Sequence, residues 1–275
     1  MKEMVWGSII SLVVCALIVC YAAFGIPYIE YRKAVTMQEN GEVIAAYNAF
    51  AAMGDYLDAP ERMDALYEQY KLEKFKTAKV GSVIYFGTFE QDNDTSNGEE
   101  DIQWKVLEIV DGKALIVSRR GLTCMQYHER NEDVTWEDCT LRAWLNDKFW
   151  DEAFSAEEKV RIQTTTVSVD KNSVNTSDQG DPTEDKVFIL SRTELETYLK
   201  EPDLRRSYAT KRAVEEGAYT SDTNGNGWYW TRSPSRYSNE VITVDSFGNI
   251  EMHGDGVAEK YYTVRPAMWI TLGDI

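Results

Sequence analysis

The sequence predicts an α+β fold for residues 80–275, set behind an N-terminal transmembrane helix (1–29) and an α-helical stalk (30–79). Three observations carry that expectation. Residues 4–28 hold no charged side chain. Near residue 80 the apolar spacing changes from three-and-four residues to two. Beyond it, strand-like and helix-like stretches come in blocks, not in the strand-helix alternation of a parallel sheet.

The first element is "MVWGSIISLVVCALIVCYAAFGIPY". Roughly 20 apolar residues rising 1.5 Å each cross the ~30 Å hydrocarbon layer, with Trp6 and Tyr28 placed for its two interfaces. We expect an uncleaved membrane anchor, because the run exceeds a signal peptide's apolar core and only Lys2 is basic before it. Lys2 and the amino terminus balance Arg32 and Lys33, so charge does not choose the orientation.

In the stalk, Val43, Ala46, Tyr47 and Phe50 share one helical face, as do Met63, Leu66, Tyr67 and Tyr70. Gly54-Asp55 separates the two helices, and Asp58 with Pro60 starts the second. The string "AYNAFAAMGDYLDAPERM" resembles a degenerate tetratricopeptide-type helical hairpin. A single such unit cannot bury both faces, so a spacer that packs on something else is expected.

From residue 80, Val83, Tyr85, Trp104, Val106, Leu107, Ile109, Ala114 and Ile116 fit short strands, with Asp111-Gly112 as a hairpin turn. "CTLRAWLNDKFWDEAF" is expected to be helical, burying Leu141, Trp144, Leu145 and Phe149. Ser155 with Glu158, and Ser191 with Glu194, read as capping boxes opening two further helices. Strands return at 228–232, 241–244, 250–252 and 264–270.

Charge excludes one class of partner. The net charge is −17, of which −15 falls in residues 81–275, and no basic run with interleaved aromatics offsets it, so no nucleic-acid partner is expected. No metal or cofactor is expected either. Asp222 to Gly227 copies the start of a calcium loop, but its twelfth position is Ser233 where a bidentate Glu is required, and "QDNDTSNGEED" lacks the right Gly and final Glu. No catalytic residues are assigned: His128 and His253 lie in distant segments, and no Ser or Cys sits in a nucleophile motif. Cys124 and Cys139 would close a loop of about 15 residues if bonded in an oxidising exterior, and two free, buried thiols are the favoured expectation.

The ordered series "KVGSVIYFGTFEQDNDTSNGEEDIQWKVLE", "DVTWEDCTLRAWLN", "FSAEEKVRIQTTTV", "EDKVFILS", "NGWYWTRSP" and "VRPAMWI" resembles the bacterial domain-of-unknown-function family numbered 6273. That resemblance implies a C-type lectin-like domain of short antiparallel strands with several helices, related to formylglycine-generating enzymes. Trp228, Trp230, Arg232, Ser233, Val264, Arg265 and Pro266 match the late aromatic strand and its closing strand. The late cysteine pair of the formylglycine-generating branch is absent, since no Cys follows Cys139.

Trp228 and Trp230 are expected in the core as a buttress, where Arg232 and Arg265 need acidic or carbonyl partners and are read as structural ion-pair donors. Recognition then falls to the loop and hairpin at 234–262, rich in Ser, Tyr, Asn and Gly, with Arg236, Tyr237, Asn239 and His253 as candidate ligand-binding residues. The expected function is a surface-displayed binding module for a glycan, a peptide or a cell-wall component. An enzyme of unknown reaction on a formylglycine-generating-enzyme-like scaffold is the alternative.

Overall fold

The computed structural model describes residues 25–170 and 180–273, together with Val19 and Tyr21. Most of the apolar run at 4–28 therefore lies outside the described residues; among those described, no helix is long and apolar enough to cross a membrane. The chain divides into two compact units, ending at Thr77 and beginning at Ala78.

The first unit holds three helices: α1 (Ile26–Glu39), α2 (Val43–Met53) and α3 (Ala59–Lys76). Gly54 closes α2 with φ +56, a backbone that a side chain would strain. Tyr31, Ala34 and Val35 from α1 are buried with Val43, Ala46 and Phe50 from α2 and Leu66 and Tyr70 from α3. Tyr31 meets Phe50 edge-on, and Tyr47 stacks on Tyr70 at 3.9 Å between ring centres. Asp58 does not cap α3 with its side chain; it accepts hydrogen bonds from the Tyr31 hydroxyl and from Arg62 Nε instead.

The second unit is mixed α+β with a curled antiparallel sheet. Its strands are β1 (Val83–Phe89), β2 (Glu100–Val110), β3 (Lys113–Ser118), β4 (Arg120–Gly121), β5 (Thr123–Cys124), β6 (Ile162–Gln163), β7 (Thr165–Val167), β8 (Thr183–Asp185), β9 (Phe188–Ile189), β10 (Tyr208–Ala209), β11 (Tyr229–Pro234), β12 (Glu240–Val244), β13 (Ile250–Gly256), β14 (Thr263–Val264) and β15 (Pro266–Thr271). One sheet runs β1-β2-β3-β15-β6, with β9 also pairing β15; a second runs β13-β12-β11-β14-β5. The late strand β15 thus enters the sheet begun by β1, pairing β3 in the register Met268 to Ile116.

Local chemistry accounts for the joints. Asp111 and Gly112, at φ +50 and +74, make the two-residue turn between β2 and β3. The bulge in β1 needs Gly87, since a Cβ there would lie 2.5 Å from the Ala153 carbonyl. Both capping boxes form, on α6 (Ala156–Arg161) and α7 (Arg192–Tyr198). The stretch expected as one helix from Cys139 is α4 (Thr140–Trp144), a π-turn over Leu145–Phe149 and α5 (Trp150–Ala153). The π-turn leaves Leu141, Leu145 and Phe149 on the buried side, while Trp144 is half-buried. Two short helices, α8 (Pro202–Arg205) and α9 (Lys211–Glu215), complete the unit.

Candidate functional site

The stretch "NGWYWTRSP" divides into a buttress and a rim. Strand β11 starts at Tyr229, one residue later than expected, and runs to Pro234. From Tyr229 to Ser233 every residue is buried, so the strand is enclosed on both faces. Trp230 is 1% exposed; its ring lies 4.0 Å from that of Tyr262, and its Nε1 donates to the Met125 carbonyl at 2.9 Å. Trp228 departs from the core expectation. It lies just outside the strand, half-buried against Tyr219, Tyr261 and Tyr262, and its Nε1 has no hydrogen-bond partner among the described residues.

The two arginines also separate. Arg232, 4% exposed, donates to Glu194 Oε2 at 2.5 Å and to the carbonyls of Ile189 and Ser168, an ion pair as expected. Arg265, equally buried, makes no ion pair among the described residues. It donates to the carbonyls of Ser118 and Arg205 and to the Tyr229 hydroxyl, with its guanidinium 5.3 Å above the Tyr229 ring. The ion-pair expectation for Arg265 is corrected: carbonyl dipoles and a π-face carry that charge. Pro266 is buried at the start of β15, opposite Ile189.

Above this frame, residues 235–239 join β11 to β12. Glu240 N donates to the Tyr237 carbonyl and Ser235 N to the Glu240 carbonyl, which closes the turn. Asn239 Nδ2 donates to Asn131 Oδ1 at 2.9 Å, and Val134 N to the Ser238 carbonyl, so a second loop braces the first. Arg236 and Tyr237 remain exposed, the guanidinium 5.6 Å above the ring. His253 is exposed on β13, and its carbonyl accepts the Ser235 hydroxyl. The four candidate ligand residues therefore occupy one loop and the facing hairpin strand.

Sequence reasoning missed the carboxylates beside them. Asp255 Oδ2 accepts both the Tyr261 and Tyr262 hydroxyls, at 2.5 and 2.8 Å. Burial and then the Asp255 bond push the Tyr261 hydroxyl up to about 12. Burial, with Asp255 adding to it, raises Glu240 above the ordinary carboxylate range. The consecutive tyrosines in "EKYY" were the available signal: two phenols next to a strand need an acceptor when buried.

Both calcium-like loops carry structural hydrogen bonds. Asn224 and Asn226 both turn their amide groups onto the Ser246 carbonyl, which ties 221–227 to the β12–β13 connection. Glu90, Asp92 and Glu100 bring carboxylate oxygens within 4.8 Å of one another and are the set best placed for a cation among the described residues. Glu90 and Glu100 already accept the backbone N–H groups of Asn93 and Gln91, a sufficient structural use. Cys124 and Cys139 are both free, but only Cys139 is fully buried.

No curated protein and no solved structure matches the chain. A family model does, over residues 111–272, more than half of the chain, and the chain belongs to that family: the domain of unknown function (DUF6273).

Proposed function

We propose that this chain is a membrane-anchored, surface-displayed binding module, recognising a glycan, a peptide or a cell-wall component through the loop and hairpin at 234–262 of a C-type lectin-like domain. One observation carries the reading. The 235–239 loop is clamped by backbone bonds and by Asn131 over a fully buried strand, while Arg236 and Tyr237 stay exposed. Tyr and Arg are the residue types that most often anchor contacts, and a pre-shaped loop lowers the entropy lost on binding. The late strand β15 lying between β3 and β6 supports the lectin-like reading of the domain. The apolar run at 4–28 and the tetratricopeptide-like stalk string support display away from a membrane.

The test is a glycan and wall-fragment array probed with residues 80–275, beside the doubly substituted Arg236→Ala, Tyr237→Ala protein. Binding by the parent that the double variant loses is the expected result. Equal binding by both removes the loop from the proposal. Protease shaving of intact cells should release the domain; complete protection with a wall-permeable protease contradicts surface display.

A further inference from the structure

The strongest feature that the 234–262 reading does not use is a cluster of cations around β2 of the main sheet, between β1 and β3. Lys105 sits on β2 opposite Val117 of β3, and two residues back on the same face is Gln103. Gln103 is a hub: its carbonyl accepts Arg119 N at 2.9 Å and its Oε1 accepts Arg119 Nη1 at 2.7 Å. Arg265 reaches in from below, its Nε on the Ser118 carbonyl. Arg120 lines a neighbouring cavity of about 80 Å³ together with Gln103 and Asp101.

Among the described residues, none of Lys105, Arg119, Arg120 and Arg265 has a carboxylate partner, in a chain that carries 46 acids. That is the reverse of what composition favours. Burial lowers the Lys105 ammonium from its ordinary value, and Arg265 and Arg119 lower it further. Lys105 has no hydrogen-bond acceptor of its own among the described residues, whereas an ammonium offers three donors.

We propose that Lys105, Arg119 and Arg120 form an oxyanion-binding site that takes a phosphate or sulfate group, either as the free ion or carried on a larger molecule. Arg119 and Arg120 are exposed and supply planar donor forks, Lys105 supplies a point charge, and Gln103 holds Arg119 in place. Arg265 adds field without contact, since its donors are committed to the Ser118 and Arg205 carbonyls and the Tyr229 hydroxyl.

The experiment uses the full chain in mild detergent at constant ionic strength, titrated with inorganic phosphate, sulfate and glycerol 1-phosphate against a chloride background. Saturable binding of phosphate with a raised melting temperature is expected. Lys105→Gln and Arg119→Gln should each weaken it about tenfold, the loss of one charge-assisted contact. In chloride alone, Lys105→Gln should melt at or above the parent temperature because a repulsion is removed. Tighter binding of the ester than of the free ion assigns the site to a pendant phosphate, and equal binding to the ion itself. The proposal is overturned if phosphate gives no more effect than chloride, or if both variants bind it as tightly as the parent.

Discussion

Glu194 Oε2 accepts both Arg232 Nη1, at 2.5 Å, and the backbone N–H of Ser191, at 2.8 Å. One carboxylate therefore closes the capping box of α7 and neutralises the buried Arg232 charge on β11. The two roles can be separated by substitution. Glu194→Gln keeps an acceptor for Ser191 but removes the charge, whereas Glu194→Ala removes both. Arg232→Leu leaves the cap intact. Breaking a buried pair from one side costs about 3 to 5 kcal/mol. We expect Arg232→Leu to cost less than Glu194→Ala, since it leaves no orphaned buried cation, with Glu194→Gln between them. Urea unfolding of the 80–275 fragment measures all three; equal losses would remove the double role.

Trp230 and Trp228 should respond unequally to Ala. Trp230 is enclosed by Tyr127 and Tyr262, so its loss leaves a cavity and costs about 3 to 5 kcal/mol. Trp228 is half-buried and its Nε1 forms no hydrogen bond among the described residues, so its removal should cost clearly less. Thermal melts of the two variants decide it. A Trp228→Ala loss equal to that of Trp230 would restore a shared core role.

That difference shows how far the sequence could be read. Alternation puts Trp228, Trp230 and Arg232 on one face, and the capping boxes and the Asp111-Gly112 turn are local chemistry, so all of these were legible. Period alone cannot say where a strand stops being covered. The exposure of Trp228 depends on Tyr219 and Tyr261, which arrive from separate segments. Arg265 was assigned an ion pair because buried charge needs compensation, but which compensation depends on where the Ser118 and Arg205 carbonyls fall. The cations around Gln103 were invisible for the same reason. Lys105 lies on β2, Arg119 in the join between β3 and β4 and Arg265 in the join between β14 and β15, and only the β2-β3-β15 register brings them together.

Arg236→Ala and Tyr237→Ala should each change stability by no more than about 0.5 kcal/mol, because both side chains are exposed. Asn239→Ala is expected to cost somewhat more, about 1 kcal/mol, because it breaks the brace to Asn131. Once a ligand is identified, the Arg236 and Tyr237 variants should weaken its binding while melting like the parent. A melting temperature lowered in step with binding would make the loop structural.

The thiols give a prediction independent of any ligand. Burial pushes Cys124 and Cys139 up to about 12, with Glu216 adding to the effect at Cys124. Thiolate is the reactive form, so little is present near pH 8. In the 80–275 fragment, these are the only cysteines. Both should resist alkylation in the native state and react rapidly in denaturant. Fast native labelling at Cys139 contradicts its full burial, and at Cys124 it contradicts the raised thiol pKa.

Acid should loosen the floor of the site before the rest of the domain. Asp170 is half-buried, and burial alone would raise its pKa. Hydrogen bonds from the Ser233 hydroxyl at 2.6 Å and the Thr193 N–H at 3.0 Å outweigh that and hold it below the usual Asp value. A carboxyl whose folded pKa is depressed stabilises the fold above its unfolded value, and that contribution disappears as pH falls through the folded one. The window therefore opens below about pH 4. Ser233 lies on β11 and Thr193 on α7, so protonation of Asp170 frees the contact between the strand and the helix that Glu194 also ties. Glu240 works in the opposite sense, because its raised pKa makes protonation favour the fold. Urea midpoints of the parent and of Asp170→Asn, measured from pH 6 to pH 2.5, test the assignment. The parent should lose stability more steeply below about pH 4, and the variant should be weaker at pH 6 but flatter through the acid range. Parallel curves for the two proteins would show that Asp170 does not carry the acid sensitivity.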